Sequence, residues 1–295
     1  MPVYVTRMWL LFALASALFA AINRTLIKAA GRTAGDSAIV FSRSLFGAIP
    51  ALALLLLVHI PPVPPMFLIY IATACVTDVV ALLCMSRSLR LAPMQRAVPL
   101  LSFTPVFLLL TGFVFLGEKP AELGLLGVVI TVTGSYLLTG KRAGMKAWEP
   151  LTILLKEPGA RYMLFAAACF AIAGPFFKKA VLSTSPYFTM SISLPFSTLL
   201  LLILQFSKGR RLVELLPRKD NRWVMLGLGA GVFGVALTAN LAFETGLVSY
   251  VVSIKRLSII ISLFMGTLIF HERDLKKYLL PASLMVGGAC LIALS

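Results

Sequence analysis

The sequence predicts an all-α polytopic membrane protein: ten transmembrane helices arranged as two inverted five-helix repeats. Three observations predict it. The chain of 295 residues is 59% hydrophobic and 13% charged, with a mean hydropathy of +0.96, whereas an ordinary soluble domain is about half apolar and about a quarter charged. Ten segments supply the roughly 20 mainly apolar residues that a bilayer-spanning helix needs. The second half of the chain resembles the first after five such segments, and an odd number of crossings turns the second copy over.

The segments are 8–29, 37–58, 66–89, 94–116, 120–140, 160–181, 186–206, 222–245, 249–270 and 274–294. Breakers mark their limits: HIPPVPP at 59–65, Pro93, GEKP at 117–120, and Pro186. The first apolar stretch follows Arg7, is too long for a signal-peptide core and lacks a convincing cleavage site, so it is expected to remain as the first helix. Residues 141–159, KRAGMKAWEPLTILLKEPG, place Met145, Trp148, Thr152 and Leu155 at helical spacing among charges. They are expected to form an interfacial linker between a first unit at 1–140 and a second at 160–295.

The repeat is legible residue by residue. An offset of 154 lays Glu118, Leu125, Leu126, Val132, Gly134 and Leu137 on Glu272, Leu279, Leu280, Val286, Gly288 and Leu291. An offset of 151 lays FAAINRTLIKAA at 19–30 over FAIAGPFFKKAV at 170–181, pairing Phe19 with Phe170 and Lys28 with Lys179. Inverted repeats of this kind are typical of alternating-access transporters.

On these residues the chain resembles the drug/metabolite transporter superfamily, in the branch built from paired EamA-type repeats. The likeness runs along nearly the whole chain, with fourth and ninth helices ending in FLGEKP and IFHERD before a Gly-containing last helix. It implies a basket of helices one to four and six to nine around a central cavity, with helices five and ten outside. It also implies secondary transport of small metabolites, often export, with no catalytic chemistry and no cofactor.

Charge narrows the partners. There are 27 Lys and Arg against 11 Asp and Glu, a net charge of +16. Most of the cations lie between apolar runs, where they set topology and meet anionic lipid headgroups rather than nucleic acid. Cys75, Cys84, Cys169 and Cys290 lie within apolar runs without CxxC spacing, so neither a disulfide framework nor a zinc site is indicated.

The polar residues inside the spans are the candidates for function. SYVVSIKRLSIIISLFMGTLIFHE at 249–272 holds adjacent cations, Lys255 and Arg256. Each costs about 2.5–3.5 kcal/mol at a lipid-facing helix centre, so both need another environment. At helical spacing Lys255 continues into Ser258, Ser262 and Gly266, a small polar stripe suited to a cavity wall or a close helix contact, although snorkelling towards the interface is the alternative. Asn23 and Arg24 fall late in the first helix, Arg43 early in the second, and Asp78 near the middle of the third.

An ion pair of Asp78 with an Arg is one reading of that carboxylate; a proton-carrying role in coupling is the other. Asn240 and Glu244 share a face of the eighth helix, where Glu244 is placed to neutralise a cation. The embedded cations outnumber the anions, which points to a small-molecule substrate bearing a carboxylate or phosphate, anionic or zwitterionic, with the proton or a second substrate as the coupling partner.

Several residues have plainer readings. Lys28, Lys178 and Lys179 are expected to be interfacial anchors, and Glu118 and Glu272 to be solvated or helix-capping. Gly227, Gly231, Gly234 and Thr238 predict close helix packing. Pro99, Pro105, Pro175 and Pro195 free backbone carbonyls within the spans and mark hinge positions.

If ten helices cross, the loops after odd-numbered helices share one face and hold most of the 27 cations. The positive-inside rule then puts both termini of this inner-membrane protein outside the cytoplasm; the resemblance more often implies the reverse. A flippase for a lipid-linked sugar is the alternative transport reading. An intramembrane enzyme is the alternative of another class, but His59 and His271 sit at helix ends and the chain has no HExxH or GxSxG motif; without a P-loop, direct ATP drive is not expected.

Overall fold

The computed structural model describes residues 8–30, 36–91, 98–142, 157–207, 209, 222–270 and 279–295. Every regular element among them is helical. The first half comprises α1 (Met8–Ala30), α2 (Asp36–Leu55), α3 (Pro65–Leu91), a 3-10 turn (Val98–Phe103) running into α4 (Thr104–Leu116), and α5 (Glu122–Arg142). The second comprises α6 (Pro158–Ser183), α7 (Pro186–Phe206), α8 (Arg222–Thr245), a ninth helix in two pieces, α9a (Val248–Lys255) and α9b (Ser258–Phe270), and α10 (Leu279–Leu294). The linker expected at 141–159 falls for the most part outside the described residues, as do Glu272 and the HERD turn.

Among the described residues five helices, α1, α3, α6, α7 and α8, are long and apolar enough to cross a membrane by length and composition; the apolar stretches Ile39–Leu55, Leu100–Leu116, Glu122–Leu137 and Leu280–Leu294 are shorter. Their faces sort by size. Along α1, Ala13, Ala17 and Ala21 are buried while Leu11, Leu14 and Leu18 are exposed, because small residues let helix backbones approach and large ones suit lipid.

Packing obeys the repeat. α3 lies on α6 and α1 on α8, one pair becoming the other when the halves are exchanged, while α5 packs on α10 and α2 on α7. At the α5–α10 crossing a Cβ on Gly127 would lie 2.6 Å from the Gly288 carbonyl oxygen, and one on Gly134 would lie 2.8 Å from that of Pro281. The 154-residue offset maps Gly127 to Pro281 and Gly134 to Gly288. Each contact is therefore the image of the other, as a two-fold axis between inverted halves requires.

The glycine face of α8 packs against α1, with Gly231 against Asn23 and Gly234 against Phe19. The ninth helix differs from the single helix expected at 249–270. Its register tightens at Arg256 and Leu257, where the Leu257 N–H bonds the Ile254 carbonyl at 2.9 Å and the Ile259 N–H bonds that of Arg256 at 2.9 Å. The fourth helix carries its own irregularity at the equivalent place. α4 and α9b are both 13 residues long and begin at Thr104 and Ser258, one repeat offset apart.

Proline explains the fourth-helix break. Pro105 has no N–H for the Leu101 carbonyl four residues back, and that oxygen accepts from Thr104 Oγ1 at 2.7 Å and from Arg256 Nη2 at 2.7 Å. Pro175 likewise leaves the Ala171 carbonyl unmet by its own helix, and Thr111 of α4 donates to it from Oγ1 at 2.7 Å. Two of the prolines expected to be hinges thus create acceptors that cross-link neighbouring helices.

Candidate functional site

A cavity of about 440 Å³ occupies the centre of the bundle, within the roughly 300–1,000 Å³ typical of small-molecule sites. Among the described residues its wall takes side chains from α1, α2, α3, α4 with its 3-10 turn, α6, α7, α8 and α9a with the turn after it, and none from α5 or α10. The basket implied by the resemblance is the arrangement seen.

Of the residues singled out in the sequence, the wall brings together Asn23, Arg24, Arg43, Asp78, Asn240, Lys255 and Arg256. Helix rotation is responsible. α1 turns Leu11, Leu14 and Leu18 outward and puts Asn23 and Arg24 in the wall, and the end of α9a with the turn after it brings both cations to the same cavity. Arg43 and Lys255 are within electrostatic reach of Asp78, and Arg24 is within reach of Lys255 and Arg256. Four cations and one carboxylate therefore form a single cluster.

Most of these groups are unengaged. Among the described residues Arg24, Arg43, Asp78, Asn240 and Lys255 make no hydrogen bond or ion pair within 4.0 Å, and Arg24 is exposed. Arg256 is different, because its guanidinium is held by the Leu101 carbonyl. Asn23 also bonds within the protein, donating from Nδ2 to the Leu228 carbonyl at 3.0 Å. Charges held this way in a low-dielectric enclosure attract a counter-ion far more strongly than they would in water.

Three expected site residues lie off the wall. Ser258 is buried, and Ser262 donates to the Ile259 carbonyl at 2.9 Å within its own helix. Neither is among the residues lining the cavity, whereas Lys255 is. Glu244 is exposed at the end of α8 and is not among the lining residues.

The anchor reading of Lys178 is corrected. This lysine is 8% exposed and bonds Glu118 Oε1 at 2.6 Å and the Gly246 carbonyl at 2.7 Å. Glu118 does cap a helix, as one of its two expected roles has it, but the helix is α9a and the carboxylate is buried. Lys179 rests over the rings of Tyr70 and Phe176 at 5.4 and 5.8 Å. The side chain of Lys28 lies outside the described residues.

The sequence reading passed over Ser44, Thr104, Ser193 and Ser197, all on the wall. Ser193 and Ser197 sit four apart on α7, a spacing that puts them on one face; that pairing was the available signal.

The EamA-like transporter family matches residues 7–140 and, a second time, 157–294. No curated protein matches the chain. Among solved structures, one described only as "Crystal structure of protein" superposes with a TM-score of 0.78 over 97% of both chains at 14% identity, a likeness of fold alone. With both halves matched and a two-fold basket around a central cavity that carries a charged cluster in its wall, the chain belongs to the EamA-like transporter family and is an integral, multi-pass membrane transporter of the drug/metabolite type.

Proposed function

We propose that the central cavity is the substrate site of a secondary active transporter, which moves a small anionic or zwitterionic metabolite by alternating access. One observation carries the reading: four cations share a cavity wall with one carboxylate, and three of them have no protein partner among the described residues. An excess of cations in a largely apolar cavity is costly when empty and is relieved by an anion. Lys255, Arg43 and Arg24 are the substrate's charge contacts, with Asn240 as a neutral polar contact. Asp78 is the competing counter-ion, the group that a coupling proton would neutralise.

The same excess favours coupling or exchange over passage of the empty carrier, since reorientation would seal the cluster away from water. The density of cations in the loops after odd-numbered helices supports a membrane orientation with both termini outside the cytoplasm.

Ligand-induced stabilisation of the purified protein, read across a metabolite library, tests the reading. Carboxylates and phosphates are expected to raise the melting temperature, and Lys255→Ala to abolish both that shift and uptake into proteoliposomes while leaving folded protein. A hit list of organic cations, or normal transport by Lys255→Ala, would overturn it.

A further inference from the structure

Away from the cavity, the described residues hold one ion pair within 4.0 Å whose partners are both buried, Glu118 with Lys178. It joins three parts of the chain. Gly117 ends α4 in a left-handed turn (φ 67°), its N–H bonding the Phe113 carbonyl at 2.9 Å. That turn folds Glu118 back beneath Gly112, where a Cβ would stand 3.1 Å from Oε2. The carboxylate then accepts from Lys178 Nζ of α6 and from the Val248 N–H that opens α9a, at 3.0 Å to Oε2 and 3.2 Å to Oε1. Lys178 closes the set on the Gly246 carbonyl between α8 and α9a.

All these groups lie on the face where α4, α6 and α8 end. Between them and the polar cluster stand Leu108, Phe177 and Phe243, which floor the cavity and pack with Val248 and Val251. At the other end, Arg24 is an exposed wall residue in the last two turns of α1. The cavity is therefore sealed on the Glu118 face and approachable from the opposite one.

A buried ion pair is a poor device for stability alone, because well-packed apolar residues usually do as well. It suits a contact that must part, since both ions recover hydration when they separate and the two arrangements stay close in free energy. We propose that Glu118 and Lys178 are the latch that shuts the cavity on this face, tying α4 of the first half to α6 and α9a of the second, and that transport requires the pair to separate. This proposal rests on the alternating-access reading above.

The test uses a single reporter cysteine, Val252→Cys on the cavity wall, in the full chain with Cys75, Cys84, Cys169 and Cys290 replaced by Ala. A membrane-impermeant maleimide is applied to either face of oriented vesicles. With the latch intact, labelling is expected from the face opposite Glu118. In Lys178→Gln, and in the isosteric Glu118→Gln, labelling from the Glu118 face is expected to rise by about tenfold as the population shifts, with Lys178→Arg returning towards the parent pattern.

Unchanged labelling in a folded Glu118→Gln protein would overturn the latch while leaving alternating access intact. Labelling of the parent from both faces at once, or from neither, would remove the alternating-access reading and the latch with it.

Discussion

Arg256 of the ninth helix donates a hydrogen bond to the backbone carbonyl of Leu101 in the fourth, at 2.7 Å and across 155 residues of sequence. The two partners sit at matching irregularities of the two repeats, and Pro105 is what leaves that carbonyl open. The adjacent cations of the ninth helix therefore have different work, one clasping the halves and the other facing the cavity unengaged.

That difference predicts opposite phenotypes. Arg256→Met leaves the Leu101 oxygen without its charged donor and is expected to destabilise the protein by about 1.5–3 kcal/mol. Arg256→Lys is expected to recover only part of this, a point charge being a poor substitute for a planar guanidinium. Lys255→Ala removes a cation with no partner and is expected to leave thermal stability unchanged or slightly raised. Thermal unfolding of the three variants, with and without an anionic ligand, separates the roles.

Thr111→Val strands the Ala171 carbonyl that Pro175 leaves free, at an expected cost of about 1–3 kcal/mol. Adding Pro175→Ala supplies an N–H for that oxygen, so the double variant is expected to be more stable than Thr111→Val alone. A double-mutant cycle by chemical denaturation in detergent measures the coupling, and simple additivity would show that the proline-freed carbonyl is not what Thr111 satisfies.

At the α5–α10 crossing, Gly127→Leu drives a side chain into the Gly288 backbone, which cannot swing aside. A loss of about 1–3 kcal/mol is expected from the overpacking. Because neither helix reaches the cavity wall, ligand affinity of the folded fraction is expected to match the parent. A change in affinity without loss of stability would contradict the peripheral placement of this pair.

Asp78→Asn raises the net positive charge of the cavity by one. Tighter binding of anions is expected in titration calorimetry, accompanied by loss of proton-dependent accumulation in proteoliposomes. Weaker anion binding would place Asp78 among the substrate contacts instead of the counter-ions.

Glu272 holds the place of Glu118 one repeat later in the sequence and lies outside the described residues. If the inverted halves alternate, Glu272→Gln is expected to shift cavity labelling in the sense opposite to Glu118→Gln. The same reporter cysteine reads both.

Hydropathy and its interruptions were enough to identify a ten-helix membrane protein with an inverted repeat, because a spanning segment must satisfy its backbone by itself and its apolar length is a local property. The glycine face of α8 was legible for a similar reason, since close packing depends on one helix's own surface. Which polar residues meet was not legible. Glu118 and Lys178 are 60 residues apart, and each alone had an ordinary reading as a solvated or capping group and an anchor. Only the rotation of each helix about its axis, set by packing against neighbours on all sides, turned Lys178 inward and brought Arg256 onto Leu101.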